Sequence, residues 1–376
     1  MIEKEKNSLT LVAVGDIVLA KKDQASTFAR AAPILKNADI AFFDCETCYA
    51  TVGSPNMYTA TPHDPAKMLP LASAGFNVCT LANNHTQDWG VDAIVECRER
   101  LEAMGIAVCG AGRNLAEARK PAIVERNGVK VAFLGFSCVG PNGFMAEDNK
   151  PGVAMVRVHT LYEQLDFQPG TPPTIITFAY KEDLQQMVGD IRKAKEESDI
   201  VVVAPHWGLH HTPVLIPDYD YEVGHAAIDA GADLVVGDHP HILKGIEVYK
   251  GKVIMHAVAN FAMEVRFPEK EGGPRQMRLK SHQKAMHRLY GPPDPNEMTK
   301  SLILKCVISD KKIQKVSYIP VMLEQWTNPE PLTRNDKRAQ DVFEYVGYIS
   351  RAVGLDTRFT WEGDEVVINP DSQGAV

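Results

Sequence analysis

Short apolar runs recur along the chain at Leu9 to Val14, Ile40 to Phe43, Val78 to Leu81, Val108 to Gly110, Val131 to Ser137, Ile200 to Pro205, Leu234 to Val236 and Val253 to Ala257. They lack the apolar-polar alternation of a half-exposed strand, so they predict strands buried on both faces. Between them, Gly90 to Met104, Lys181 to Glu197 and Asp220 to Ala230 repeat apolar residues at spacings of three and four, the signature of a helix with one buried stripe. Strands alternating with helices predict an α/β fold in which mostly parallel or mixed sheets are covered by helices. "ASAGFNVCTLANNH" (Ala72 to His85) and "IDAGADLVVGDHPH" (Ile228 to His241) share one architecture, an alanine-glycine loop, a strand, then polar residues just past its C-terminal end.

The pattern changes from Met263 to Met298, a polar stretch with five prolines and no strand periodicity. It reads as an insertion (263–298), and a loop of that length within a compact domain is either functional, here a lid, or disordered. Ser301 to Ile308 and Lys315 to Pro320 then read as an antiparallel hairpin, followed by a helix over Arg334 to Ala352 and two short strands around the Gly-Asp turn of "RFTWEGDEVVIN". The expected organisation is a catalytic domain over 1–325 and a C-terminal extension, 326–376, serving as a dimer element or a lid.

Composition narrows the function classes. A chain of 376 residues with 45% apolar and 23% charged residues is an ordinary globular protein with a sizeable core. Its formal net charge of −8 argues against a general nucleic-acid or anionic-membrane binder. No apolar h-region precedes the first strand, and no apolar stretch reaches the roughly 18 residues of a membrane span, so the expected location is the cytoplasm. Seven scattered cysteines fit reduced thiols better than a disulfide framework, the Cys45-Cys48 pair included.

Chemistry-bearing side chains gather at the strand ends. Asp16 follows the first strand, Glu46 the second, and Asn83, Asn84 and His85 the third, with Asp88 one turn on. His206, His210 and His211 follow a later strand in "VVAPHWGLHH", His239 and His241 the next in "VVGDHPH", and Asn260 closes "IMHAVANF". In open α/β sheets ligands bind outside those ends. Carboxylate, amide oxygen and imidazole together suit Mn²⁺ or Zn²⁺, with Fe²⁺ or Mg²⁺ as alternatives, and the number of donors fits one or two ions. The expected ligands are Asp16, Glu46, Asn84, His206, His239 and His241.

Blander readings compete at each position. A lone histidine near a strand end is usually structural, which covers His63, His159, His225, His256, His282 and His287. "GDHPH" differs, because glycine allows a tight turn and proline stiffens it so that both imidazoles face one point. "NNHTQD" can be an Asx turn with a helix cap, and Asp16 a turn residue.

"GDIVLA", "ADIAFFDCET", "AGFNVCTLANNHTQDWG", "DIVVVAPHWG", "AGADLVVGDHPHILKGIEVYKGKVIMHAVANF" and "IQKVSYIP" occur in this order over residues 9 to 322. In that combination the chain resembles the bacterial capsule-synthesis CapA family, within the calcineurin-like metallophosphoesterase superfamily. The resemblance implies a metallophosphoesterase-like α/β sandwich, with Asp16 as ligand, Glu46 as bridging carboxylate, Asn84, His206, His239 and His241 as ligands, and His85 as acid or oxyanion stabiliser. Two positions depart from the family pattern. Val18 stands where the first-motif histidine is expected, so one metal position lacks a donor or recruits His210 or His211. Asp44-Cys45-Glu46 replaces Asn-Leu-Glu, which makes Asp44 an extra ligand or turns it away from Glu46's face.

The leading expectation is a metal-dependent hydrolase in which metal-activated water attacks a carbonyl or phosphoryl centre, with His85, Asp88 and His206 as catalytic residues. The substrate class is an anionic amide, peptide, glutamyl polymer or phosphoester. The basic run Arg275, Arg278, Lys280, Lys284 and Arg288 fits such an anion, or is a solvated charged face. One alternative is an epimerase or lyase that abstracts an α-proton through His85 or His206. The other is a non-catalytic accessory protein of poly-γ-glutamate capsule synthesis that binds a polymer end through the same residues, His210, His211 and Asn260 included among the contacts. A homodimer is compatible with all three.

Overall fold

The computed structural model describes residues 8–20, 26–55, 64–264 and 296–369. Two mixed sheets face one another. The first runs in the order 358–362, 365–369, 312–324, 300–309, 8–18, 40–45, 78–80 and 107–109, with 328–331 added on 312–324 and 260–263 added on 8–18. The second runs 246–249, 252–255, 234–236, 200–206, 129–137 and 122–126. Its four inner strands are parallel and both outer ones antiparallel.

Alternation along Ser8–Val18 separates two cores. Leu9, Leu11 and Ala13 point between the sheets, where they meet Phe42, Phe133, Val202 and Val236. Val12 and Val14 point outward, beneath the helices Ala32–Asn37, Leu69–Ala74 and Val91–Ala103. Phe42 and Phe133 stack across the sheets at 5.3 Å, and each buried ring contributes roughly 1.5–3 kcal/mol. Lys181–Glu197 and Asp218–Ala230 cover the outer face of the second sheet through Met187, Ile191, Val223 and Ala227. The layers are therefore helix, sheet, sheet, helix, and Ile40–Cys45, Val78–Thr80, Ile200–His206 and Leu234–Val236 are buried along their whole length, as the unbroken runs predict.

The C-terminal residues join this framework. Val366 and Val367 pair with Tyr318 and Ser317, and Val342, Val346 and Ile349 of helix Lys337–Ala352 enter the core between the sheets. Several elements escaped the sequence pattern: Ala122–Arg126, the hairpin Val158–Glu163 with Thr174–Ala179, Ile246–Tyr249 and Asn260–Met263. Ala122–Arg126 and the hairpin are partly exposed, which weakens their patterning, and Ile246–Tyr249 and Asn260–Met263 are only four residues long. Of the insertion, Arg275, Arg278, Lys280, Lys284 and Arg288 lie outside the described residues, as do His63, His282 and His287. Among the described residues no helix is long and apolar enough to cross a membrane.

Candidate metal centre

The first strand changes partners where the site forms. It pairs with Lys300–Ser309 along its first half and with Asn260–Met263 from Asp16 onward, with a register shift at Asp16/Ile17. Gly15 permits this crossing, because a Cβ there would stand 1.8 Å from the Ala259 carbonyl oxygen and 2.6 Å from Asp238 Oδ1. The Asp16 N–H instead donates to that carbonyl at 3.3 Å. Non-glycine residues in the left-handed region cluster on the same rim: His239 at φ 102°, His241 at 58° and Ala259 at 67°. Such backbone carries strain of order 1–3 kcal/mol per residue and persists where surrounding structure enforces it.

"NNH" divides its labour. Asn83 Nδ2 donates to Asp44 Oδ1 at 2.7 Å and to the Cys45 carbonyl at 2.9 Å, while its Oδ1 accepts from Thr86 Oγ1 and the His85 N–H. That is the Asx turn, and it presents Asn84 Oδ1 2.6 Å from His206 Nε2. His206 Nδ1 lies 2.9 Å from Asp44 Oδ2, so the proton given to Asp44 leaves a lone pair on Nε2. Around that lone pair stand Asn84 Oδ1, His239 Nδ1 at 3.2 Å and Glu46 Oε1 at 3.5 Å. On the other side His241 Nδ1 is 2.9 Å from Asn260 Oδ1, 3.3 Å from Asp16 Oδ2 and 3.8 Å from Glu46 Oε2.

All four carboxylate oxygens of Asp16 and Glu46 are buried with no hydrogen-bond partner. Burial, then the charge of Asp16, holds the Asp44, Glu46 and Asp238 carboxyls well above the usual carboxylate range. Burial pushes His206 down to about 3 and His239 below its usual range. Carboxyls that burial makes costly to ionise, their oxygens unpartnered beside neutral imidazoles, match a site that a divalent cation would stabilise. Among the described residues, three groups bring ligand atoms within 4.8 Å of one another: Glu46, His206 and His239; Asp16, Glu46 and His241; and Asp16, Asp44 and His206. The first two share Glu46, so two adjoining cation positions fit the donors.

His85 stands at the mouth. Its Nδ1 is 2.9 Å from Asp88 Oδ2 and its Nε2 4.0 Å from Glu46 Oε1. Its side chain and that of His241 are each 17% exposed, against at most 1% for Asp16, Glu46 and His206, so an incoming molecule meets these two imidazoles first. His210 lies on the rim, its ring 4.0 Å from that of His239 and 5.1 Å from that of His241, and His211 lies 5.8 Å from His241. Neither belongs to the three ligand groups. Val18 is buried and belongs to none of these groups, and Asn260 Oδ1 touches His241 Nδ1. The residue missed from sequence is Asp238, buried with an unpartnered Oδ1 beside Gly15. Its signal was present in "GDHPH", where the two imidazoles drew the attention.

The family model for the bacterial capsule synthesis protein PGA_cap matches residues 10–265, a stretch that contains every side chain of the site. The chain belongs to this family. It is 31% identical over 265 residues to the PGA biosynthesis protein CapA of Bacillus subtilis (strain 168), covering 67% of this chain and 62% of that one. It is 28% identical over 240 residues to a probable polyglutamine synthesis accessory protein of Mycobacterium tuberculosis, covering 61% and 57%. The chain thus spans about three-fifths of the length of these relatives. Among solved structures, the calcineurin-like phosphoesterase YfkN of Bacillus subtilis aligns with a TM-score of 0.34 at 12% identity, covering 91% of this chain and 99% of that one.

Proposed function

We propose that this PGA_cap protein is a metal-dependent hydrolase of an anionic amide, peptide-like or phosphoester substrate, glutamyl peptides foremost. The observation that carries the reading is the set of four buried, unpartnered oxygens of Asp16 and Glu46 facing neutral imidazoles. Asp16, Glu46 and His241 would hold one divalent ion, and Glu46, Asn84, His206 and His239 a second, Mn²⁺ or Zn²⁺ by donor type. Such ions supply an activated water at neutral pH and polarise the bond under attack.

The remaining work falls to the chain's own side chains. Asp44 fixes the tautomer of His206 through Nδ1, as an outer partner of a metal-binding imidazole does, whereas Asn260 Oδ1 converges on the same His241 nitrogen that faces Asp16 and Glu46 and adds a further oxygen beside that group. His85, steadied by Asp88, offers Nε2 toward the site from the mouth, where it gives a proton to the leaving group or stabilises charge developing on it. Protein stripped with chelator and reloaded with Mn²⁺ or Zn²⁺ is expected to cleave members of a panel of γ-glutamyl peptides and aryl phosphates. Inertness of the loaded protein toward the whole panel sinks the proposal.

The printed name of the Mycobacterium tuberculosis relative, a synthesis accessory protein, favours a second reading, in which the same site binds a glutamyl polymer end without turnover. Titration of the loaded protein with oligo-γ-glutamate separates the two: retention of intact oligomer supports binding alone, and shortened product supports hydrolysis.

A further inference from the structure

The hairpin Val158–Glu163 with Thr174–Ala179 stands apart from both large sheets as a two-stranded ribbon. Ribbons of two strands are marginal in water unless another surface covers them. One edge is covered: the outward N–H groups of Thr177 and Ala179 donate to Asp218 Oδ2 at 3.3 Å and Glu222 Oε2 at 2.7 Å. Those contacts fix which residues face outward. On the opposite strand the outward groups belong to Val158, Thr160 and Tyr162, and among the described residues none of their N–H groups has a partner.

The same hairpin concentrates exposed apolar surface. Six of the twelve exposed large apolar side chains among the described residues lie on it, including Leu161 at 52%, Tyr162 at 70%, Leu165 at 81% and Phe167 at 95%. With aromatic side chains of roughly 150–250 Å² each, these six expose on the order of 700 Å², close to the roughly 800 Å² per partner of a stable protein interface. An open edge beside an apolar patch is a template for strand addition.

We infer that two copies of this chain pair through the Val158–Glu163 edge, antiparallel about a two-fold axis at Thr160, to form a four-stranded sheet. The register argues for a second copy rather than another occupant. A two-fold at Thr160 sets Val158 against the partner's Tyr162, Thr160 against the partner's Thr160, and Arg157 against the partner's Glu163. These are an apolar pair, a threonine pair and an opposite-charge pair, all favourable across antiparallel strands, with no like charges opposed. The register also carries Leu165 and Phe167 onto the base of the partner's hairpin.

Sedimentation equilibrium of the full chain over a micromolar dilution series is expected to show a dimer. Thr160→Pro removes an outward N–H that the intrachain ladder does not use, so this variant is expected to keep its far-UV circular dichroism and sediment as a monomer. Tyr162→Lys, which adds a charge without touching the backbone, is expected to do the same, and Glu163→Arg to weaken the dimer most at low ionic strength. A wild-type chain that stays monomeric throughout overturns the inference. So does a Thr160→Pro variant as dimeric as wild type, or wild type that binds anionic phospholipid vesicles without self-associating.

Discussion

Replacing Glu46 by Gln tests the reading of the site with opposite signs in two states. A glutamate ordinarily titrates near 4.5, and in the metal-free fold burial, followed by the charges of Asp16, Asp44 and Asp88, raises Glu46 well above that. The folded protein therefore keeps a proton that the unfolded chain releases above pH 4.5, so metal-free stability falls as pH rises from there. Protonation caps the penalty: from 4.5 to pH 7 it is at most about 3 kcal/mol. Glu46→Gln removes it, and the amide donates where the carboxylate found no donor. In chelator at pH 7 the variant is expected to melt higher than wild type, by at most roughly 4 °C, and to lose part of the pH slope. With Mn²⁺ or Zn²⁺ at a thousand times the dissociation constant, wild type gains about 4 kcal/mol, more than the penalty that the substitution removes. The variant has lost the one side chain common to both ligand groups and gains little, so the order of melting reverses. Calorimetry with and without metal is the assay. Equal metal-induced shifts in the two proteins, or a variant less stable than wild type in chelator, would refute the reasoning.

Asp44→Asn leaves the proposed ligands in place but releases the His206 imidazole, and metal affinity measured by competition with a chromophoric chelator is expected to fall about 10–100-fold. His85→Ala is expected to lower turnover by about 10²–10⁴ with metal content unchanged by emission spectrometry, and Asp88→Asn to lower it less. Lys244 is buried, donates to the carbonyls of Thr212 and Leu215, and is pushed down by burial to about 8, with Asp220 opposing that shift. The unfolded chain holds the proton up to about 10.5, so the penalty is fully present below pH 8. Stability is then expected to rise by about 3 kcal/mol in total between pH 8 and 10.5. Urea denaturation across that range should show the rise in wild type and not in Lys244→Met.

Much of this fold was legible because the inner strands are buried on both faces and therefore read as unbroken apolar runs. The site was legible because each ligand ends such a run. The edge hairpin at Val158–Glu163 was not, since "LYEQLDFQPGTPPTIITF" alternates poorly and its stability depends on contacts made elsewhere. Asp44 was ambiguous for a different reason. Its orientation is set by Asn83 from the next strand and by His206 from the other sheet, and no local pattern encodes a contact across 162 residues. Asp238 was overlooked because a carboxylate beside two histidines looks like a turn residue until Gly15 is seen to bring the first strand against it.

Val18 and Asp238 belong to one argument about charge. An apolar side chain at Val18 withholds an imidazole from the site, while Asp238 adds a fourth buried carboxyl to Asp16, Asp44 and Glu46. With His206 and His239 held neutral by burial, only His241 and His85 stand beside the four acids to offset them. One divalent ion leaves a net charge of −2 in a buried site, which the fold can tolerate only by keeping protons on two carboxyls. Two divalent ions balance all four. With valine at position 18 the group of Asp16, Glu46 and His241 has a single imidazole while the electrostatic demand for its ion stands, and metal analysis of the purified protein is expected to return two ions per chain. A value of one would mean that two of the acids keep their protons in the loaded protein, which carboxyl infrared bands near neutral pH would reveal.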